Sequence, residues 1–183
     1  MDGERAEGLT QGPTAAPAHA SSPRGALECL NQQLLMRSTR GFFVTMACLV
    51  REAQSGELCY ASGGHLPMLR RRGATPDVEI LCGDEGLPLG IEKDSMPANR
   101  KIPLAPGDTL LLVTDGVVEA LGLDRGVFKM QKRAEIFRQQ GSSASQLVEE
   151  VFEAIGLISP TSPEDDLAVL AFTWTPQRTG VRK

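Results

Sequence analysis

The apolar and polar positions of this chain first repeat with the period of a helix. Leucines three and four residues apart form one apolar stripe, made of Leu27, Leu30, Leu34 and Leu35. Ser22 directly precedes Pro23, which is the arrangement of an N-cap followed by a proline in the first turn. The pattern predicts an amphipathic helix that begins near Pro23 and ends before Gly41.

The middle of the chain changes to short apolar runs that are separated by turns. Two of them, Phe42 to Arg51 and Leu58 to Ser62, flank a glycine-containing turn and predict a β-hairpin. The runs MLRR, VEILC and RKIPL predict further strands, and APGD predicts a turn before the most apolar strand, at residues 109–114. The segment GLPLGI carries two glycines and a proline and therefore predicts a tight loop.

The last third returns to the helical period and then ends on a strand. Apolar residues recur three and four apart at residues 127–140 and 143–156, and Ser143 with Gln146 forms a capping-box signature. A final apolar run at residues 165–175 is entered through two carboxylates, and Phe172 and Trp174 alternate with threonines as a core face would. Strands followed by helices and a closing strand predict an α+β fold.

Composition divides the chain into a core and two tails. Residues 1–22 are rich in Gly, Ala, Pro, Ser and Thr and predict a disordered tail, and residues 176–183 form a basic C-terminal tail. The domain is therefore expected at residues 23–175. The short basic run at Arg70, Arg71 and Arg72 is interpreted as the solvated end of a hairpin.

Charge and apolar content exclude some classes of function. The net charge is −4, which argues against a nucleic-acid or anionic-membrane surface. No apolar run approaches the length of a spanning helix, and the N-terminus has no apolar signal region. The four cysteines form no C-x-x-C pair, so we expect buried thiols in a reducing compartment and a cytoplasmic protein. The oligomeric state stays open.

Candidate chemistry lies where two apolar strands meet carboxylates. Asp115 ends the strand at residues 109–114, while Asp165 and Asp166 begin the last strand. Aspartate is also common at strand ends because it starts turns. If the two strands are neighbours, however, the three carboxylates converge, and such oxygen ligands suit Mg²⁺ or Mn²⁺.

Five motifs occur in a characteristic order: ECLNQQLL with GFFVTMACLV, YASGGHLPML, GLPLGI, LAPGDTLLLVTDGVVEA and PEDDLAVLAF. Together they resemble the SpoIIE-like branch of the PPM-type, metal-dependent serine/threonine protein phosphatases. The resemblance covers about residues 22–174. It implies an α-β-β-α sandwich of two antiparallel sheets flanked by helices, with a centre for two Mn²⁺ or Mg²⁺ ions that hydrolyses phosphoserine or phosphothreonine on a regulatory protein.

The resemblance also assigns roles to single residues. Asp115 and Asp165 match metal ligands of the family, and Asp166 is their neighbour. Gly116 would let the backbone turn close to the metal, and Glu119 would support the site or merely suit a helix N-terminus. His65 lies in a glycine-histidine turn of the family, where a structural role is expected, although a general acid is the alternative.

One family motif has no counterpart in this chain. The motif resembling G-D-x-x-G-H-G, which supplies the carboxylate that bridges both metals, should precede the first helix, and Asp2 lacks the strand pattern it needs. We therefore expect an incomplete sandwich with open sheet edges, and a catalytically impaired domain that binds or regulates stays an alternative. A haloacid-dehalogenase-like phosphatase would need a nucleophilic aspartate where Val113 stands.

Overall fold

The computed structural model of the protein describes residues 22–37, 41–52, 57–75, 77–81, 86–95, 97–121, 143–158 and 165–175. The two predicted tails, apart from Ser22, and the predicted helix at residues 127–140 lie outside these ranges. None of the helices within the described ranges is both long enough and apolar enough to span a membrane.

The described residues form two antiparallel sheets and three helices. The strands are β1 (Met46–Arg51), β2 (Leu58–Gly63), β3 (Met68–Arg71), β4 (Val78–Leu81), β5 (Arg100–Ile102), β6 (Thr109–Val113) and β7 (Val169–Thr173). The helices are α1 (Pro23–Arg37), α2 (Asp115–Ala120) and α3 (Ala144–Ile158). One sheet has the strand order β1-β2-β5 and the other β4-β3-β6-β7. The predicted α+β sandwich is confirmed.

Three apolar clusters place these elements in four layers. Leu27 of α1 packs with Ala61 and Leu89, which covers the outer face of the three-stranded sheet. A second cluster fills the space between the sheets and contains Leu58, Tyr60, Met68, Ile102, Leu110 and Leu112. A third joins the four-stranded sheet to α2 and α3 and includes Leu69, Leu111, Val113, Val117, Leu147 and Val151. The order is therefore helix, sheet, sheet, helices.

The first helix begins as predicted, and Leu27 and Leu34 of the predicted leucine stripe pack in the cluster under it, but Leu30 does not. Ser22 Oγ accepts a hydrogen bond from the Gly25 backbone N–H at 3.1 Å, as an N-cap does. Leu27 is buried, whereas Leu30 is exposed. Asn31 takes the core position instead, with 1% of its surface exposed, because its amide bonds the loop after β4.

The first hairpin forms in register, but β1 starts four residues later than the apolar run. Phe42 and Phe43 are exposed. Val44 instead forms a bridge with Leu89, each backbone N–H bonding the other residue's carbonyl at 2.8–2.9 Å. The backbone bonds of this segment thus go to the GLPLGI loop, and the strand starts only where β2 becomes available as partner.

The basic run holds an ion pair whose arginine is buried and whose glutamate side chain is partly exposed, so the prediction that all three arginines are solvated is wrong for Arg70. Only 4% of Arg70 is exposed. Its Nε lies 3.2 Å from Glu79 Oε2, and its Nη1 donates to the Pro103 carbonyl at 3.0 Å. The hydrogen bond from Arg70 lowers the pKa of Glu79, and the charges of Arg70 and Arg72 add to this effect. An arginine with these partners can be buried.

The last helix agrees with the sequence prediction, whereas the described cysteines are less buried than expected. Cys48 and Cys59 are free and partly buried, and burial is the main cause that raises the pKa of both thiols. Ser143 Oγ accepts from the Gln146 backbone N–H at 3.2 Å, and Gln146 Oε1 accepts from the Ser143 N–H at 2.8 Å. The capping box at the start of α3 is therefore confirmed.

Candidate functional site

Asp115 lies at the junction between the buried strand β6 and the short helix α2. All five residues of β6 are buried, and α2 begins at Asp115 directly after Thr114. Thr114 has an extended backbone conformation, so the chain changes from strand to helix within one residue. The carboxylate thus lies in the first turn of a helix, where a negative charge is favoured.

The hydroxyl of Thr114 fastens the end of β6 to the segment that carries the other two carboxylates. Thr114 Oγ1 donates to the Asp166 carbonyl at 2.9 Å and accepts from the Ala168 N–H at 3.0 Å. The Thr114 N–H donates to the Ala168 carbonyl at 3.1 Å. These bonds continue the contact between β6 and the chain beyond the Val113–Val169 pair and hold Asp166 beside the start of α2.

Gly116 brings the two acidic segments into direct backbone contact. A Cβ atom at Gly116 would lie 2.6 Å from the Asp166 carbonyl oxygen and 3.2 Å from the Asp165 carbonyl carbon. A real Cβ does not approach a backbone oxygen so closely, so the contact requires glycine. The backbone of Gly116 and the backbone of residues 165–166 are thus in contact, whereas a meeting of the Asp115 and Asp165 side chains within reach of one ion stays a prediction.

The two later carboxylates are exposed at this tip. Asp165 Oδ1 accepts from the Asp166 backbone N–H at 2.8 Å, which turns the Asp165 side chain back over its own chain. Both residues are exposed, whereas Asp115 is half-buried. The carboxylate oxygens here are the hard ligands that Mg²⁺ and Mn²⁺ prefer.

The carboxylates fit a metal site by their chemistry, but the structure does not bring three of them together around one point. Within the described ranges, no group of three or more His, Cys, Asp or Glu side chains could together hold a metal ion. Asp115, Asp165 and Asp166 can thus supply part of a ligand set, and further ligands would be needed for a two-metal centre. Glu119, on the exposed side of α2, is not added to them by the structure.

A cleft of about 300 Å³ opens between the two sheets and reaches Thr114, the residue before Asp115. One wall comes from the start of β1, and the other comes from the end of β6 and the start of β7. Its polar lining residues are Thr45, His65 and Thr114. The rest of the lining is mainly apolar, which is usual for a site that binds small groups.

His65 reaches this cleft from a turn that is held on several sides. Its Nδ1 lies 3.0 Å from the Leu66 carbonyl oxygen, and its own carbonyl accepts from Ser62 Oγ at 3.2 Å. These bonds agree with the predicted structural turn, and the position of the ring also places it at the cleft.

The basic run lies at the opposite end of the sheet. The strand register pairs Arg71 with Thr109, at the start of β6, whereas Asp115 follows the end of the same strand. Arg70 and Arg72 are moreover both bonded to Glu79. A phosphorylated partner at the carboxylates would therefore not meet these arginines.

The sequence reasoning missed Thr114 and the cleft. Thr114 gave no signal because threonine favours strands, so its place at the end of an apolar strand needs no further explanation. The cleft gave none because it lies between two strands that are more than 100 residues apart in the chain. The sequence offered one signal, namely acidic residues at the tips of two strands. If two such tips lie side by side, a further group must hold them together.

The family of the chain is shown by comparison with known proteins. The family model of "Stage II sporulation protein E (SpoIIE)" matches residues 10–175. The chain belongs to the SpoIIE family. Its relatives of solved structure are phosphatase domains of the PP2C or PPM type, so the predicted family is confirmed.

Three solved structures illustrate the shared fold. The phosphatase domain of SpoIIE from Bacillus subtilis is 19% identical with a TM-score of 0.62, over 82% of this chain and 64% of that one. The SiaA-PP2C domain of Pseudomonas aeruginosa is 21% identical with a TM-score of 0.67, over 84% and 61%. The PPM Ser-Thr phosphatase MsPP of Mycobacterium smegmatis is 20% identical with a TM-score of 0.58, over 85% and 75%.

These likenesses concern the fold. The chain spans 64% of the SpoIIE phosphatase domain and 44% of a SpoIIE structure that includes a fragment of the regulatory domain. Comparison with curated proteins finds no match.

Proposed function

We propose that this chain carries part of the active site of a metal-dependent protein serine/threonine phosphatase. The observation that supports the proposal is the contact between Gly116 and the Asp165–Asp166 backbone, which brings the two acidic segments together at one tip. Membership of the SpoIIE family supports the same reaction class.

The proposed roles follow from the position of each residue. Asp115, Asp165 and Asp166 would hold Mn²⁺ or Mg²⁺, which supplies charge stabilisation to phosphoryl oxygens and lowers the pKa of water. Thr114 and Gly116 keep the acidic segments in place through one hydroxyl and one close backbone contact. Glu119 is a candidate for orienting the ligands, one turn along the same helix.

The proposed substrate is a phosphoserine or phosphothreonine on a regulatory protein of the cytoplasm. The SpoIIE relative is described as a "cell fate determinant", and another relative, PppA, as a "key regulatory component of T6SS". The regulatory roles of these relatives favour a phosphoprotein substrate over a small phosphate ester.

A second candidate function is a domain that binds without turnover. The observation that favours it is that the described residues offer no group of three metal-binding side chains. Such a domain would retain the fold and the cleft, and would bind a metal ion weakly or not at all.

Release of phosphate from a phosphoserine protein, with and without Mn²⁺, tests the first candidate. The assay compares this chain, a version extended upstream by the preceding coding sequence, and Asp115→Asn in whichever version is active. We expect Mn²⁺-dependent release that Asp115→Asn removes. Metal-independent release, or release that survives this substitution, would contradict the proposal.

Calorimetry with Mn²⁺ separates the two candidates for the chain of 183 residues. Tight binding of two ions would exclude the binding-only function. If this chain takes up no Mn²⁺ while the extended version binds it and turns over substrate, the missing ligands lie in the added upstream segment.

A further inference from the structure

His65 lines the cleft, and one of its two ring nitrogens has no partner among the described residues. His65 uses Nδ1 for the Leu66 carbonyl, and its remaining ring nitrogen, Nε2, has no hydrogen bond within the described part of the chain. The Thr114 hydroxyl differs, because it already donates to Asp166 and accepts from Ala168. His65 therefore offers the cleft an unused polar atom on a fixed ring.

The turn that carries His65 is built rigidly. A Cβ on Gly63 would lie 2.7 Å from Leu89, and a Cβ on Gly64 would lie 2.7 Å from Pro88. Gly64 also forms a bridge with Met46, which contributes to the wall of the cleft. The loop thus presses the turn against the start of β1, and a ring held in this way is preorganised for a ligand.

The cleft suits a phosphorylated side chain better than a larger ligand. Its volume of about 300 Å³ is at the lower limit for small-molecule sites. It begins at Thr114, the residue before Asp115, so a group seated in it lies at the edge of the carboxylate tip. A protonated imidazole donates from both nitrogens, to the Leu66 carbonyl and to an anion at the same time.

We propose that His65 is a substrate-binding residue that donates from Nε2 to a phosphoryl oxygen of the phosphorylated serine or threonine. This inference rests on the proposed function for the identity of the substrate, but binding of the phosphoryl group by His65 can be measured without turnover. The hydrogen bond from Nδ1 to Leu66 holds the ring in the orientation that this contact needs.

Two substitutions separate this role from a purely structural one. In His65→Asn the amide nitrogen takes the position of Nδ1, which retains the bond to Leu66 and removes the group at Nε2. In His65→Gln the amide nitrogen takes the position of Nε2 instead. We expect His65→Asn to keep the melting temperature and to weaken phosphate binding about tenfold or more, because a hydrogen bond to a charged group is lost. His65→Gln should lower the melting temperature and keep more of the binding.

Histidine ring spectra of the full chain give the readout. The chain has two histidines, His19 and His65, so the spectrum contains two sets of ring signals and His65→Asn assigns them. The probes are inorganic phosphate and a phosphoserine peptide, each titrated without metal. We expect a saturable shift of the His65 signals with both probes and none with sodium chloride of matched ionic strength.

Four outcomes decide between the two roles of His65. Unmoved His65 signals, or phosphate binding that is equal in His65→Asn and the unsubstituted chain, would overturn the inference. A shift of His65 in a protein whose extended version shows no Mn²⁺-dependent release would support the inference and contradict the proposed function. If the extended version releases phosphate and His65→Asn leaves its kcat/KM unchanged, the result would support the proposed function and contradict the inference about His65.

Discussion

The two ends of the four-stranded sheet hold their carboxylates in opposite ways. Where β6 begins, Asp108 is buried, and its two oxygens accept from the backbone N–H groups of Gly73 and Ala105, each at 3.0 Å. Where β6 ends, Asp165 and Asp166 are exposed, and within the described ranges the only side-chain bond of this pair is from the Asp166 N–H to Asp165.

This difference distinguishes a structural carboxylate from one that is available to a ligand. A buried carboxylate with both oxygens bonded to the backbone stabilises the turn that it joins. Exposed carboxylates at a rigid tip add little to stability, but the tip fixes their position. The comparison predicts that substitution of the buried carboxylate will mainly affect stability and that substitution of the exposed carboxylates will mainly affect function.

The largest effect on stability is expected at the tip backbone. Gly116→Ala places a methyl group against the Asp166 carbonyl and should lower the free energy of unfolding by about 3 kcal/mol, the upper range for overpacking. Gly156→Ala in α3 is the matched control, since a Cβ there meets nothing within 4 Å. It should stabilise by about 1 kcal/mol through helix propensity. Urea unfolding of both variants checks the pair, and equal effects would contradict the close contact.

The buried arginine should give the next largest effect. Arg70→Met removes the bonds to Glu79 and Pro103 and should cost about 2 to 3 kcal/mol, because Glu79 keeps solvent access and Arg72 as a partner. Arg72→Met, whose side chain is exposed, should change stability by less than about 0.5 kcal/mol. Similar losses of stability in Arg70→Met and Arg72→Met would show that the burial of Arg70 does not determine its contribution to stability.

The two kinds of aspartate give the direct test of the comparison. Asp108→Ala should cost about 2 kcal/mol because two backbone N–H groups lose their acceptor. Asp166→Asn should leave stability within about 0.5 kcal/mol and reduce Mn²⁺ binding in any version that binds it. Thermal unfolding measures the stability, and calorimetry measures the Mn²⁺ binding. A large loss of stability in Asp166→Asn would show that Asp166 is a structural carboxylate like Asp108.

The smallest effect is a pH dependence at the structural end. The pKa of Glu79 is lowered, mainly by the hydrogen bond from Arg70, so its contribution is present above the ordinary glutamate pKa. It is lost as the pH falls through the lowered value. The stability difference between the unsubstituted chain and Glu79→Gln should therefore be constant near neutral pH and vanish in acid. Solvent exposure of Glu79 keeps this difference small.

Local signals in the sequence predicted most of the fold. The Ser143–Gln146 box, the Ser22 cap and the first hairpin each depend on residues close together in the chain, and all three are confirmed. The choice of Asn31 over Leu30 for the core depended on the distant carbonyl of Glu92, which no local pattern reveals.

The candidate site was predictable in part for the same reason. The acidic tips were visible as motifs, and their contact followed from pairing β6 with β7. The hydrogen bond from the Thr114 hydroxyl depends on the register between β6 and β7. The place of His65 at the cleft depends on how the three-stranded sheet packs against the four-stranded one. The assignment of Asp115, Asp165 and Asp166 to a metal stays a prediction that the Mn²⁺ experiments address.

The stacking of Arg51 on Trp174 has a practical consequence. The guanidinium carbon lies 3.4 Å from the ring centroid, so the end of β1 in one sheet touches the residue after β7 in the other. Trp174 is the single tryptophan of the chain. Its fluorescence is therefore an intrinsic optical reporter of whether the two sheets remain together, and it can be followed beside circular dichroism without any introduced label.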